Sequence, residues 1–494
     1  MKFNRNHLFA FLTILFLTLI YAWFISLGLW TRWPTLTTYY DELASAFDHG
    51  SLSLDLKPDA ALVALPNPYD PVARAGVNIL NDASLYGGKY YLYFGPVPAL
   101  LPAILKPLGF GQIGDQYLVF AFISGILILQ TLLIIKIWRR FFQDVPAWIV
   151  ILCIILSGLT TPLVSMLTKA RVYEASIAGG QFFFLAGLYF IIAALDQDSV
   201  SNRLLLMGGI SFALAVGSRV TQILPVSFIA FMVVFWILNK HPQFKPLTKV
   251  IHPIMSLGIP IIAGLAVLGG YNWARFHSVF ETGILYQLAW TNPQKNYRDF
   301  FSPFYIVQNL YNYLIVPPKF RNDIFPFIFA VYGKVHPVFS SLPMPGIYNS
   351  EKITGLLYSV PFTVYALIPV ISLLNRSRGQ LKSYNGQNDP QFLNWIIACL
   401  SGAFLFGFLS FLSFFWAALR YFEDFLPSLI ILSIVGFWQG YRNYFTRPMH
   451  RMAYLALGTG LIAASIIAST LIGMSYGSPR FEEFNRHFWN LLQP

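Results

Sequence analysis

Hydrophobic positions along this chain fall mostly into long continuous runs, separated by short clusters of Lys, Arg, Pro, Asn and Gly. A helix that crosses a bilayer needs about 20 mostly apolar residues. Eleven runs meet or approach that length: 8–30, 116–137, 147–166, 176–195, 204–218, 223–238, 254–272, 353–374, 392–416, 424–440 and 452–474. The first is too long for a signal peptide and no small-residue cleavage site follows it. Trp23, Trp30 and Trp33 instead suit an interfacial anchor. Residues 204–238 taken as one helix would reach about 52 Å, so a break is predicted at Ser218–Gln222, just before Pro225. The aromatic stretches 303–318 and 323–333, interrupted by Gln308, Asn309, Asn312 and prolines, read either as interfacial helices or as a membrane hairpin. The pattern therefore predicts an all-α polytopic membrane protein with eleven or thirteen transmembrane helices. Residues 1–494 form one integral-membrane unit carrying two large loops, 31–115 and 273–352.

Composition agrees with that class. Of the 494 residues 56% are hydrophobic and only 11% charged, against about 25% charged in soluble domains. The net charge of +12 would suit a nucleic-acid partner if it were spread evenly, but it is not. With the N-terminus in the cytoplasm, the inner segments 1–7, 136–146, 196–203, 239–253, 375–391 and 441–451 hold 15 basic and 4 acidic residues, leaving 18 and 17 outside. This is a positive-inside signature. It predicts a multi-pass protein of the cytoplasmic membrane, N-terminus inside and C-terminus outside, in contact with membrane lipids and not with nucleic acid.

No predicted span carries Asp, Glu, Lys or Arg near its centre, whereas ion-coupled pumps usually need such residues. The two long loops are too long to be mere connections, which places the chemistry at the outer surface. The first begins with Tyr39–Phe47, whose apolar residues 39, 43, 46 and 47 follow helical spacing up to Gly50. Thr38 and Asp41 have the spacing of a capping box, so Asp41 and Glu42 read either as helix-start acids or as general-base candidates. Asp70 lies between prolines, and Asp82 precedes a Gly87–Gly88 hairpin flanked by tyrosines. Carboxylates to accept hydroxyl protons and rings to stack on pyranoses make a sugar site. The catalytic candidates rank Asp41, Glu42, Asp70, Asp82, with Tyr69, Tyr86 and Tyr93 for the sugar. Val97–Phe110, apolar but holding three prolines, is expected to dip into the interface without crossing.

Arg171, Arg219, Arg275 and Arg420, the last followed by Tyr421, lie near outer helix ends. Each alone suits headgroup snorkelling; together they suit a phosphate held by forked hydrogen bonds. There is no Gly-rich phosphate loop and no metal-ligand spacing, and the two cysteines, Cys153 and Cys399, lie inside apolar runs. No cofactor is identified, and dependence on a divalent metal stays open.

These features resemble the GT-C glycosyltransferases, the multi-spanning group that includes protein O-mannosyltransferases and the aminoarabinose transferases of lipid A. The likeness lies in the cytoplasmic N-terminus, the acidic amphipathic helix opening the first outer loop, and Arg420–Tyr421 with Leu426–Pro427 entering a late span. A set of prokaryotic membrane glycosyltransferases is similar at Asn67–Pro71, Asp82–Tyr86, Tyr91–Pro98, Gly217–Arg219, Ala274–Phe276 and Tyr286–Leu288. The Asp–Glu pair that commonly precedes the helix in mannosyl and aminoarabinosyl transferases is missing from Pro34–Thr37. The resemblance implies a sugar transferred from a polyprenyl-phosphate donor to a glycolipid, glycan or protein acceptor outside the membrane. A lipid-linked glycan flippase and a non-catalytic scaffold of envelope assembly are the alternatives.

Overall fold

The computed structural model describes residues 5–160, 162–197, 199–240, 246–333, 343–376, 390–444 and 446–494. Every predicted span is helical over most of its length. Among the described residues seven helices are long and apolar enough to cross a membrane, including Asp115–Phe141, Val172–Leu195, Thr248–Phe276 and Pro448–Phe484. Ala147–Leu159, Asn202–Ser218, Pro361–Asn375 and Leu426–Asn443 are shorter apolar helices packed among them. The chain is a helical, multi-pass membrane protein.

The break in 204–238 lies where the sequence placed it: Asn202–Ser218 ends at Arg219 in extended backbone, a 3-10 turn covers Val220–Gln222, and Ile223–Lys240 follows. The ambiguous aromatic stretch 303–333 holds only a nine-residue α-helix, Ile306–Leu314. At 1.5 Å per residue it reaches about 14 Å, half of the ~30 Å hydrocarbon layer, too short to cross it. Its polar residues are not breaks but tethers. Asn309 donates to the carbonyls of Phe411, Leu412 and Phe414 at 2.9–3.0 Å and accepts from the Tyr348 hydroxyl at 2.7 Å, fixing the loop on the end of helix Pro390–Leu412.

Three of the connectors counted as inner meet at one end of the bundle, where Lys136 and Arg140 pair with Asp196 at 2.7 and 3.2 Å and Arg442 pairs with Asp144. Both long loops lie at the other end.

There the amphipathic helix Tyr39–Asp48 forms and stops before Gly50, which adopts φ +68°. Its cap differs from the expected box. Thr38 makes no side-chain capping bond. Asp115, at the start of a later helix, accepts the Tyr39 and Tyr40 amides at 3.2 Å and the Thr37 hydroxyl. A carboxylate from another element thus satisfies the free N–H groups of the helix, and Asp41 is released for a different contact. The predicted hairpin is present, with Ser84–Tyr86 antiparallel to Lys89–Tyr91. Beyond it Gly95 presses on the end of helix Asn202–Ser218, where a Cβ would lie 2.0 Å from the Gly217 oxygen. Only glycine lets the chain after the hairpin approach the Gly217–Ser218 backbone this closely.

Candidate functional site

Five segments converge at the loop-bearing end of the bundle: 82–94, 169–174, 219–222, 349–351 and 416–424, with Tyr476 joining from the extended end of helix Pro448–Phe484. Residues 349–350 pair in parallel with 416–417, and the Glu351 amide donates to the Ala417 carbonyl at 2.8 Å. That pairing sets the Glu351 carboxylate beside Arg420, whose Nη1 donates to both of its oxygens at 2.6 and 2.7 Å. The Tyr476 hydroxyl and Trp416 Nε1 (3.2 Å) also donate to Glu351. Burial alone would raise the Glu351 pKa. Arg420, these hydrogen bonds and Arg171 outweigh it and push the carboxyl down to about 2.

Arg219 pairs with Asp424 at 3.4 Å, and Asp424 also accepts from Thr221 at 3.1 Å and Gln222 at 3.2 Å. Arg171 forks onto Glu174 at 3.2 and 3.4 Å. The three guanidiniums share tyrosine faces: Arg171 and Arg420 lie 4.9 and 5.1 Å from the Tyr173 ring, and Arg219 and Arg420 lie 5.3 and 5.2 Å from Tyr421. Each arginine faces its own carboxylate. Lys169 does not: its ammonium lies 3.8 Å from the centre of the Tyr476 ring, with no carboxylate at ion-pair distance among the described residues. Burial, and then Arg171, lower its pKa to about 8. Arg219 Nε and Arg420 Nε are buried donors with no acceptor among the described residues, a costly state for buried polar groups.

Asp82 closes the cluster on the first-loop side. It occupies left-handed backbone, φ +58°, with its amide on the Leu288 carbonyl at 3.3 Å. Its carboxylate accepts from the Tyr173 hydroxyl and from Gln287 Nε2 at 3.0 Å. Tyr173 therefore contacts Asp82 through its hydroxyl and two arginines through its ring. Phe94, the neighbour of Tyr93, packs edge-on to Tyr173 at 5.4 Å, and Tyr93 lies against Phe94 at 4.0 Å.

The structure therefore brings Arg171, Arg219, Arg420, Tyr421, Asp82 and Tyr93 into one cluster. The remaining candidates lie elsewhere. Arg275 donates to the carbonyl of Leu92 at 2.6 Å and to Asn272 at 2.8 Å, clamping the strand that leads to Tyr93. Tyr69 and Tyr86 stack with Tyr286 and Phe276 at 4.6–6.1 Å. Asp70 accepts the Val72 amide at 2.9 Å and closes its turn. Asp41 is 4% exposed; Lys106 pairs with one oxygen at 3.1 Å and the Ile113 amide donates to the other at 3.0 Å. Glu42 is half-buried, and burial followed by the nearby Asp41 raises its pKa.

Sequence reasoning missed Lys169, Tyr173, Glu351 and Tyr476. Lys169 had a signal: with Arg171 it puts two cations in a connector on the predicted outer side, where the positive-inside rule disfavours them. Glu351 had none, since only the pairing with 416–417 brings it to Arg420. Gln181, inside helix Val172–Leu195, and Gln222, in the 3-10 turn after Arg219, bond each other at 3.4 Å, and Gln222 also donates to Asp424; they belong to the cluster's floor. Among the described residues no group of three His, Cys, Asp or Glu is arranged to hold a metal ion.

No family model and no curated protein sequence matches the chain. Among solved structures it is similar to the Archaeoglobus fulgidus oligosaccharyltransferase. With an acceptor peptide tethered to that enzyme, the TM-score is 0.47 at 10% identity, covering 95% of this chain and 55% of that one. In its complex with an inhibitory peptide and a dolichol-phosphate, the TM-score is 0.45 at 9% identity over 95% and 56%. ArnT from Cupriavidus metallidurans bound to undecaprenyl phosphate is similar with a TM-score of 0.42 at 10% identity over 96% and 78%. The chain spans little more than half the length of the oligosaccharyltransferase.

Proposed function

We propose that the protein is a GT-C-type membrane glycosyltransferase that takes a sugar from a polyprenyl-phosphate donor and passes it to a hydroxyl of a glycolipid, glycan or protein. The site end faces outward from the cytoplasmic membrane, with the N-terminus inside. The observation that carries this reading is the convergence of Lys169, Arg171, Arg219 and Arg420 at helix ends, with Asp82 on the same tyrosine as two of them. The sequence resemblance supplies the reaction class, and the cluster supplies the residues.

A prenyl tail stays in the bilayer, so the donor phosphate must be met at headgroup depth, where these helix ends lie. The bound phosphodiester carries one negative charge. Arg171, Arg219 and Arg420 each face a carboxylate, and Lys169, which has no carboxylate at ion-pair distance among the described residues, is the cation placed to meet that charge. In the reaction the acceptor oxygen forms a bond to the sugar's anomeric carbon. The bond from that carbon to the phosphate oxygen breaks, and its electron pair leaves with the phosphate. The second negative charge that develops there is stabilised by the guanidiniums, already oriented by their acids. The acceptor's proton goes to Asp82.

Asp82 takes this role in preference to Asp41, which is ion-paired to Lys106 outside the arginine cluster, and to Asp70, which closes a turn. Incubation of the purified full chain in nanodiscs with a panel of polyprenyl-phosphate sugars and membrane-extract acceptors should release polyprenyl phosphate. No release across the panel contradicts the reading.

A further inference from the structure

We propose that Trp290, backed by Phe415 and Trp416, forms a subsite for a pyranose ring of the acceptor; the acceptor assignment rests on the transferase reading above. Trp290 is 51% exposed. Its ring lies 6.5 Å from Phe415 at 25° and 5.4 Å from Trp416, so a stacked aromatic base supports an open indole.

Its place between the two halves of the candidate site is the decisive feature. Trp416, against the indole, donates through Nε1 to Glu351, the carboxylate that holds Arg420. On the other side, the segment just before Trp290 is bound to the loop that carries Asp82. Leu288 exchanges backbone bonds with Ala83 and Asp82, and Gln287 donates to the Asp82 carboxylate. Trp290 is thus linked to the proposed base by one contact chain and to the proposed phosphate cations by another, as a sugar that presents the attacking hydroxyl requires.

The segment that follows Trp290 distinguishes it from a lipid anchor. At the end of helix Thr248–Phe276, Trp273, Val279 and Phe280 are exposed together, Phe280 at 92%, an apolar group suited to the bilayer interface. Trp290 instead precedes Thr291–Asp299, a segment in which Pro293 and Tyr297 are the sole non-polar residues. Asn292 folds this segment into a short helix by accepting the Gln294 and Lys295 amides at 3.1 and 3.2 Å, which leaves the Gln294 and Lys295 side chains exposed. A pyranose has an apolar C–H face and a rim of hydroxyls. A flat indole beside a polar turn offers both complements.

The test is saturation-transfer NMR on the full-length protein in nanodiscs, with soluble methyl pyranosides and short oligosaccharides of glucose, galactose, mannose and N-acetylglucosamine as probes. At least one saccharide should receive saturation on its ring C–H protons. Trp290→Ala should weaken its binding by about tenfold, Trp290→Phe should retain most of it, and Trp273→Ala should change nothing. Undecaprenyl phosphate binding should persist in both Trp290 variants. If the alanine variant fails to fold, brominated-lipid quenching compared between wild type and Trp290→Phe decides: an indole shielded from the lipid supports the subsite, and one quenched as strongly as Trp273 overturns it. Saccharide binding unchanged in Trp290→Ala, or absent from the whole panel, also overturns it. Saccharide binding through Trp290 by a protein that takes no undecaprenyl phosphate leaves the subsite standing and removes the transferase reading.

Discussion

Asp41 and Asp82 lie in the same loop and have opposite surroundings. Asp41 sits on a helix facing inward, and its two oxygens are taken by an ammonium and a backbone amide. Lys106 also donates to the Asp41 carbonyl at 3.1 Å, so the contact ties the amphipathic helix Tyr39–Asp48 to the proline-containing segment Val97–Phe110. Asp82 sits in a backbone conformation that costs a non-glycine residue about 1–2 kcal/mol, and its carboxylate meets two side chains, Tyr173 and Gln287, the first of which faces Arg171 and Arg420 with its ring. The sequence ranked Asp41 first because it follows the first span by a short turn. Each carboxylate holds two donors, and the difference lies in their company: an ammonium and a backbone amide for Asp41, a tyrosine that also faces two arginines for Asp82.

The largest effect should come from Asp82→Asn, which keeps the hydrogen-bonding shape and removes the proposed base. Turnover should fall by about 10² or more with little change in thermal stability, and normal turnover would return Asp82 to the status of a turn residue. Next is Arg420→Ala, which removes a forked charge-assisted contact and leaves Glu351 without its guanidinium. Apparent donor affinity should weaken about ten- to a hundredfold. Arg420→Lys should restore only part of it; full restoration would favour headgroup snorkelling.

A smaller effect is expected at Lys169. With its pKa lowered to about 8, the ammonium is charged below that value and neutral above it. Donor affinity should therefore decline several-fold as pH rises through about 8, and Lys169→Met should flatten that step in a binding titration. The smallest effect on turnover belongs to Asp41→Asn. Breaking a buried ion pair commonly costs about 3–5 kcal/mol when one partner is left uncompensated. Thermal unfolding should therefore move to lower temperature while turnover per folded molecule stays near wild type.

Much of the architecture was legible because membrane helices announce themselves by length and apolar continuity. The break at Ser218–Gln222, the Gly87–Gly88 hairpin and the extent of Tyr39–Asp48 were all readable from local chemistry. The cap on Tyr39–Asp48 was not, since it comes from Asp115, more than 70 residues away. The same limit governs the site. Arg171, Arg219 and Arg420 were visible as cations at helix ends, but nothing local separates them from Arg275, which spends its guanidinium on Leu92 and Asn272. Glu351 and Tyr476 reach the cluster only through a strand pair and a helix that runs beyond its apolar stretch. The tyrosines divided in the same way: Tyr93 joined the cluster, whereas Tyr69 and Tyr86 joined a separate stack around Tyr286.

The most direct test measures polyprenyl phosphate released from a polyprenyl-phosphate sugar donor by wild type, Asp82→Asn and Asp41→Asn, each normalised to folded protein in the same nanodiscs. The account predicts release by wild type, near-equal release by Asp41→Asn, and a loss of about 10² in Asp82→Asn. The reverse order, with Asp41→Asn inactive and Asp82→Asn active, would contradict it.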